Sequence, residues 1–168
     1  MSGDGAMIEG RAHRLEDHVN TDLIIPATYL VASDPAELGE HLLEGHDPEF
    51  KSRVRPGDII VAGENFGTGS SREHAPLAIK GAGIACVIAS SFARIFFRNA
   101  INVGLPILES PDAVKVTGEG DRIRVDLAAG TIENLTTGDT FTVPAYPEFM
   151  RRIVDEGGLI KYVMSKDS

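Results

Sequence analysis

Three apolar runs bounded by glycine restrict this chain more than any other feature: "GDIIVAGENFG" from residue 57, "GIACVIASS" from 83 and "GLPILES" from 104. Each is too short for a core helix and reads as a buried strand. Between them lie "REHAPLAIKGAG" and "FARIFFRNAINVG", which have helical spacing and end in glycine. Strand, helix, strand, helix, strand predicts a parallel sheet. The working surface of such a sheet lies beyond the carboxyl ends of its strands.

The flanks add to this core. "MIEGRAHRLED" reads as a first strand that breaks into the polar loop "HVNTD", a place where chemistry can sit. "DPAELGEHLLEG" predicts a helix with Asp34 as N-cap, Pro35 at the first helical position and Gly45 as the stop. From 112 to 143, β-branched alternation with glycine-containing turns predicts antiparallel hairpins, and the segment from 147 predicts one helix and a second, short one. No linker or repeat divides the 168 residues. The expectation is one domain over 1–168, of α/β class, with mostly parallel core strands and an added antiparallel hairpin region.

Charge excludes some partners. Sixteen Lys and Arg against 25 Asp and Glu leave a net charge of −9, the wrong sign for a partner that must neutralise phosphates, so neither nucleic acid nor an anionic membrane is expected. No apolar run reaches 18 residues and no signal-peptide pattern opens the chain, which predicts a cytoplasmic protein. The one cysteine, Cys86, lies in an apolar run and reads as a small buried hydrophobe. With one cysteine and no His-x-x-His spacing, no metal or cluster is expected on this chain.

The segment after the first apolar run, "GENFGTGSSREH" (63–74), holds three glycines, two serines and an arginine. Walker A, dinucleotide and nucleophile-elbow patterns all fail on its residues. Ser70 and Glu73 have the spacing of a capping box, which would make Ser70 a helix cap. A cap needs neither three glycines nor an adjacent arginine. Gly63, Gly67 and Gly69 point to backbone that something approaches closely. Arg72 adds positive charge to a helix start that is already positive, which favours an anionic ligand.

"NTDLIIPATYL", the "GSSRE" block and the following "SFARI" resemble the 3-isopropylmalate dehydratase small subunits of the aconitase superfamily, over nearly the whole chain. The resemblance implies the swivelling β/β/α domain of that superfamily. It also implies a hydro-lyase of leucine biosynthesis that isomerises isopropylmalate, active with a large subunit that carries a [4Fe-4S] cluster. By the same resemblance Ser70 is the base, Ser71 contributes to substrate binding, Arg72 clamps a substrate carboxylate and Asp22 matches an active-site aspartate, with Gly67 and Gly69 supplying loop backbone. Val31, after "YL", stands where relatives with a tricarboxylate substrate resemble an arginine site, and so predicts contact with an alkyl group. His74 reads as a brace for the loop. The alternatives are a homoaconitase-type or related 2-hydroxy-acid dehydratase subunit, and a carboxylate-binding module without catalysis.

Overall fold

β2 (Ile59–Ala62) and β3 (Cys86–Ala89) are buried at every residue, so both faces of the sheet are covered here, as continuous apolar runs require. They pair in parallel with each other, and with β1 (Met7–Arg14) on one side and β4 (Ile107–Glu109) on the other. The chain is described by a computed structural model at residues 7–29, 34–69 and 73–166. β1 also carries β5 (Arg122–Asp126) in antiparallel register, followed by β6 (Thr131–Asn134) and β7 (Thr140–Thr142). One seven-stranded sheet results, in the order β4-β3-β2-β1-β5-β6-β7. β1 serves both halves: residues 12–14 pair with β2 and residues 7–11 with β5.

Side chains alternate across the sheet. Ile60, Ala62, Val87 and Ala89 face one core with α1 (Thr21–Ile24), α2 (Pro35–Gly39), α3 (Phe50–Arg53), α4 (His74–Gly81) and α5 (Arg94–Asn102). Ile59, Val61, Cys86 and Ile88 face a second core, closed by α6 (Pro111–Val116), by Ile123, Val125 and Ile132, and by Tyr146. The Tyr146 hydroxyl donates to Ile107 O at 2.5 Å and accepts from Ile107 N at 2.9 Å, filling the outer edge of β4 where a further strand would pair. Burial pushes that hydroxyl far above its ordinary range. α7 (Glu148–Glu156) and α8 (Leu159–Lys166) close the chain. Among the described residues no helix is long and apolar enough to cross a membrane.

Two expectations are corrected. Residues 112–116 belong to α6 and not to a hairpin. Ser110 caps that helix by accepting from Ala113 N at 3.2 Å, with Pro111 at the first position and Asp112 in the first turn. The helix expected over 34–45 is regular only from Pro35 to Gly39, and turns follow. Asp34 sits at its cap position without a side-chain bond. Past Gly39 the bonds are of the i,i+3 type, His41 N to Leu38 O and Leu42 N to Gly39 O, and Leu43 takes left-handed backbone at φ of 57°; Cβ atoms at Gly39 and Gly81 would strike the backbones of α4 and α2 respectively, so the two helices touch directly.

Candidate active site

Beyond the carboxyl ends of β1, β2 and β3 three segments lock together: 15–21, 63–69 and 90–93. Parallel pairing continues past the strands on one side. Leu15 N donates to Val61 O (2.8 Å), His18 N to Glu64 O (2.7 Å), Gly67 N to Val19 O (2.8 Å) and Thr21 N to Thr68 O (2.8 Å). On the other side Phe66 N donates to Ser91 O and Ala93 N to Phe66 O, both at 3.0 Å. Residues 63–69 are thus the middle segment of a three-segment ladder, and the main-chain donors of residues 63–68 are used within the protein.

Side chains finish the lock. Asn65 and His18 both have left-handed backbone, at φ of 56° and 58°, and Asn65 Nδ2 donates to His18 Nδ1 at 3.2 Å. Asp17 accepts from Glu64 N at 2.8 Å and fills the space where a Cβ at Gly63 would stand. Beneath the loop, Phe66 packs edge-on against Phe96 at 5.3 Å and Phe92 at 6.0 Å. A Cβ at Gly67 would fall into the Phe96 ring, and one at Gly69 would lie 3.1 Å from Thr21 Oγ1. The close approach expected at these glycines is real, and the approaching groups are the protein's own.

Among the sequence-predicted residues, Gly67 and Gly69 lie in this loop, at φ of +84° and +108°. Asp22 lies in the first turn of α1, exposed and one residue from the Thr21–Thr68 bond. It does not cap that turn; Asn20 does, accepting from Leu23 N at 2.9 Å. Ser70, Ser71, Arg72 and Val31 lie outside the described residues. α4 starts at His74, with Glu73 at its cap position and not at the third helical position that a Ser70 capping box demands. Pro76 then falls in the first turn, where the missing N–H has no intrahelical acceptor to lose. His74 is half-buried and its side chain makes no hydrogen bond or ion pair among the described residues, so no bond supports its expected role as a brace.

Sequence reasoning missed Asn20, Asp17 and Glu109. Asn three residues before a bonded N–H is a readable cap signal. Glu109, at the end of β4, accepts from Phe92 N at 3.0 Å and ties the fourth strand to the rim; no local pattern announces it.

The opposite end of the sheet holds a separate ionic cluster. Asp58, just before β2, accepts from His13 Nε2 at 2.7 Å, Arg55 N at 3.0 Å and Arg11 at 3.3 Å. Burial raises this carboxyl, but the Arg55 amide, His13 and Arg11 together outweigh it and hold Asp58 below its ordinary value. Cys86 is fully buried, and burial pushes its thiol up to about 12. Among the described residues no three His, Cys, Asp or Glu side chains stand together as a metal site.

A family description, the aconitase C-terminal domain, matches residues 40–113. The 3-isopropylmalate dehydratase small subunit of Caldanaerobacter subterraneus is 57% identical, over 95% of this chain and 99% of its own length. The 2,3-dimethylmalate dehydratase small subunit of Eubacterium barkeri is 55% identical over 92% of this chain and 95% of its own. A crystal structure of 3-isopropylmalate dehydratase from Methanocaldococcus jannaschii superposes with a TM-score of 0.88 at 45% identity, covering 96% of this chain and 95% of that one.

Proposed function

This chain belongs to the 3-isopropylmalate dehydratase small-subunit family, and from that premise we propose that it is the base-bearing half of a hydro-lyase of leucine biosynthesis. It interconverts 2-isopropylmalate and 3-isopropylmalate through isopropylmaleate, as one aconitase-type domain working in the cytoplasm with a large subunit. The observation that carries the reading is the three-segment ladder. It fixes Gly69 at the carboxyl-end rim, immediately before Ser70, Ser71 and Arg72, and bonds the segment holding Asp22 to the same loop.

The reaction removes a proton from carbon and a hydroxide from its neighbour, then returns water in the opposite sense. The carbon acid is weak because its carboxylate neighbour is already charged, so a strong base is required. An ionised Ser70 supplies it, and in the reverse step the serine hydroxyl returns the proton to carbon. Such an alkoxide needs cationic and N–H partners in a site with little water. Arg72 grips a substrate carboxylate with two parallel hydrogen bonds, Ser71 adds a further bond, and Asp22 lies beside the loop.

An iron–sulfur cluster does not fit this chain's residues. Such a cluster needs several thiolates, and the only cysteine is buried with its proton firmly held. We assign the cluster to the large subunit. The 2,3-dimethylmalate relative is nearly as similar as the isopropylmalate one, so overall identity does not choose the substrate. Val31 argues for an alkyl branch, because a third carboxylate would be stranded against valine.

Coexpression with the cluster-bearing subunit, followed by an anaerobic assay of isopropylmaleate hydration, tests the proposal. Hydration by the pair and none by either subunit alone is the expected result. Turnover by the isolated chain, or an inactive but fully assembled pair, would overturn it.

A further inference from the structure

α5 begins on the far side of the glycine loop, and its first turn is electrostatically unfavourable in isolation. Arg94 and Arg98 stand four residues apart on one face, and the first turn holds no acid, although the start of a helix already carries partial positive charge. Both arginines are exposed, and among the described residues neither has an ion pair or a side-chain hydrogen bond. The chain has 25 acidic side chains, so acids to pair with them were not in short supply. Ile95, beside them, is 52% exposed. Two adjoining hollows open here. One of ≈410 Å³ is bounded by Phe92, Arg94, Phe97, Arg98 and Glu109. The other, of ≈420 Å³, shares Phe97 and Glu109 and continues along Val143, Pro144, Pro147 and Met150.

We propose that this face of α5, with the two hollows beside it, is where the large subunit docks, through a segment that sets acidic side chains against Arg94 and Arg98 and an apolar side chain into the hollow. The inference rests on the reading of this chain as a small subunit. The face is continuous with the rim, since Phe92 bonds Glu109 and bridges Phe66 in the glycine loop. A site that lacks groups its reaction needs has to be completed from the rim side. Charge also suits the partner: two guanidiniums without an ion pair among the described residues, side by side at the mouth of the hollows, complement an acidic surface.

The test pairs coexpressed subunits and reads association by sedimentation at several salt concentrations. Arg94→Glu with Arg98→Glu should weaken pairing at least about tenfold and flatten its salt dependence, while the isolated variant melts no lower than the parent because acids now stand at the start of α5. Ile95→Asp should weaken pairing as well. Ile160→Asp, on the exposed face of α8, should not, and Ser70→Ala should lose turnover while pairing normally. If the charge-reversed chain pairs as tightly as the parent, or if Ile160→Asp loosens the pair as much, the assignment to α5 is wrong. If the parent chain itself fails to pair with the cluster-bearing subunit, the small-subunit reading is what fails.

Discussion

Gly138, in the turn between β6 and β7, and Gly67, in the rim loop, have nearly the same backbone, at φ of +88° and +84°. Their surroundings are opposite. A Cβ at Gly138 would meet nothing within 4 Å, whereas one at Gly67 would enter the Phe96 ring. In the antiparallel half glycine serves the turn alone. At the rim it also removes volume, so that loop backbone lies directly on an aromatic base. The polar groups differ in the same sense. Asn134 in the antiparallel half is wholly buried and spends both ends of its amide on neighbours, Nδ2 on Asp121 at 3.0 Å and Oδ1 on Thr136 N at 2.9 Å. At the rim Asn20 and Asp17 likewise accept from Leu23 N and Glu64 N, but Asp22 beside them lies at the surface. The antiparallel half is built to be complete in itself, and the parallel rim is built to hold a shape for something else.

Mutation can sharpen this contrast, beginning with the largest effect. Ser70→Ala in the assembled enzyme should cut turnover by about 10³-fold or more while the melting curve hardly moves; a lost cap would instead cost about 1 kcal/mol and spare the rate. Val31→Arg should lower isopropylmalate turnover by about 10²-fold and raise activity on a tricarboxylate analogue, with stability unchanged. An unaltered preference would remove Val31 from the substrate's surroundings.

Gly67→Ala should cost about 3 kcal/mol, because strain at positive φ adds to a clash that the buried ring cannot relieve. Gly138→Ala should cost only about 1 kcal/mol. Equal losses in denaturant melts would abolish the distinction between the two glycines. The smallest effect belongs to Asp58. Its folded-state value lies below its ordinary one, so it adds stability that is present above the ordinary value and lost as pH falls through the folded one. Thermal melts of the wild type should therefore decline as pH falls below the ordinary aspartate value of about 4, and Asp58→Asn should flatten that decline.

The parallel core was legible because β2, β3 and β4 are apolar runs punctuated by glycine, and α4 and α5 end in glycine at the expected places. α6 was hidden by its own composition. Val114 and Val116 read as strand, although Ser110, Pro111 and Asp112 spell a helix start, and the capping signal won. α2 was over-read because the apolar spacing of Leu38, Leu42 and Leu43 suits i,i+3 turns as well as a helix, and nothing local announces the left-handed backbone at Leu43. At the site the loop itself was plain, and so was the need for something close to its glycines. That the approaching groups are Phe96, Asp17 and Thr21 depends on the parallel register, which sets β1 beside β2 and brings residues 15–21 alongside 63–69. Asp22, read as an active-site aspartate, lies one residue from the Thr21–Thr68 bond that joins its segment to the loop, and Asn20 was passed over as the cap of that turn.

The Tyr146 hydroxyl on Ile107 matters most before any partner arrives. A chain that works only in a pair must first persist alone, and the last strand of a sheet is where copies of a protein stick to one another and grow into aggregates. By supplying both a donor and an acceptor to that strand, one phenol removes the template for such growth at this end of the sheet. Tyr146→Phe should therefore show itself less in the assembled enzyme than in how long the unpaired subunit stays in solution.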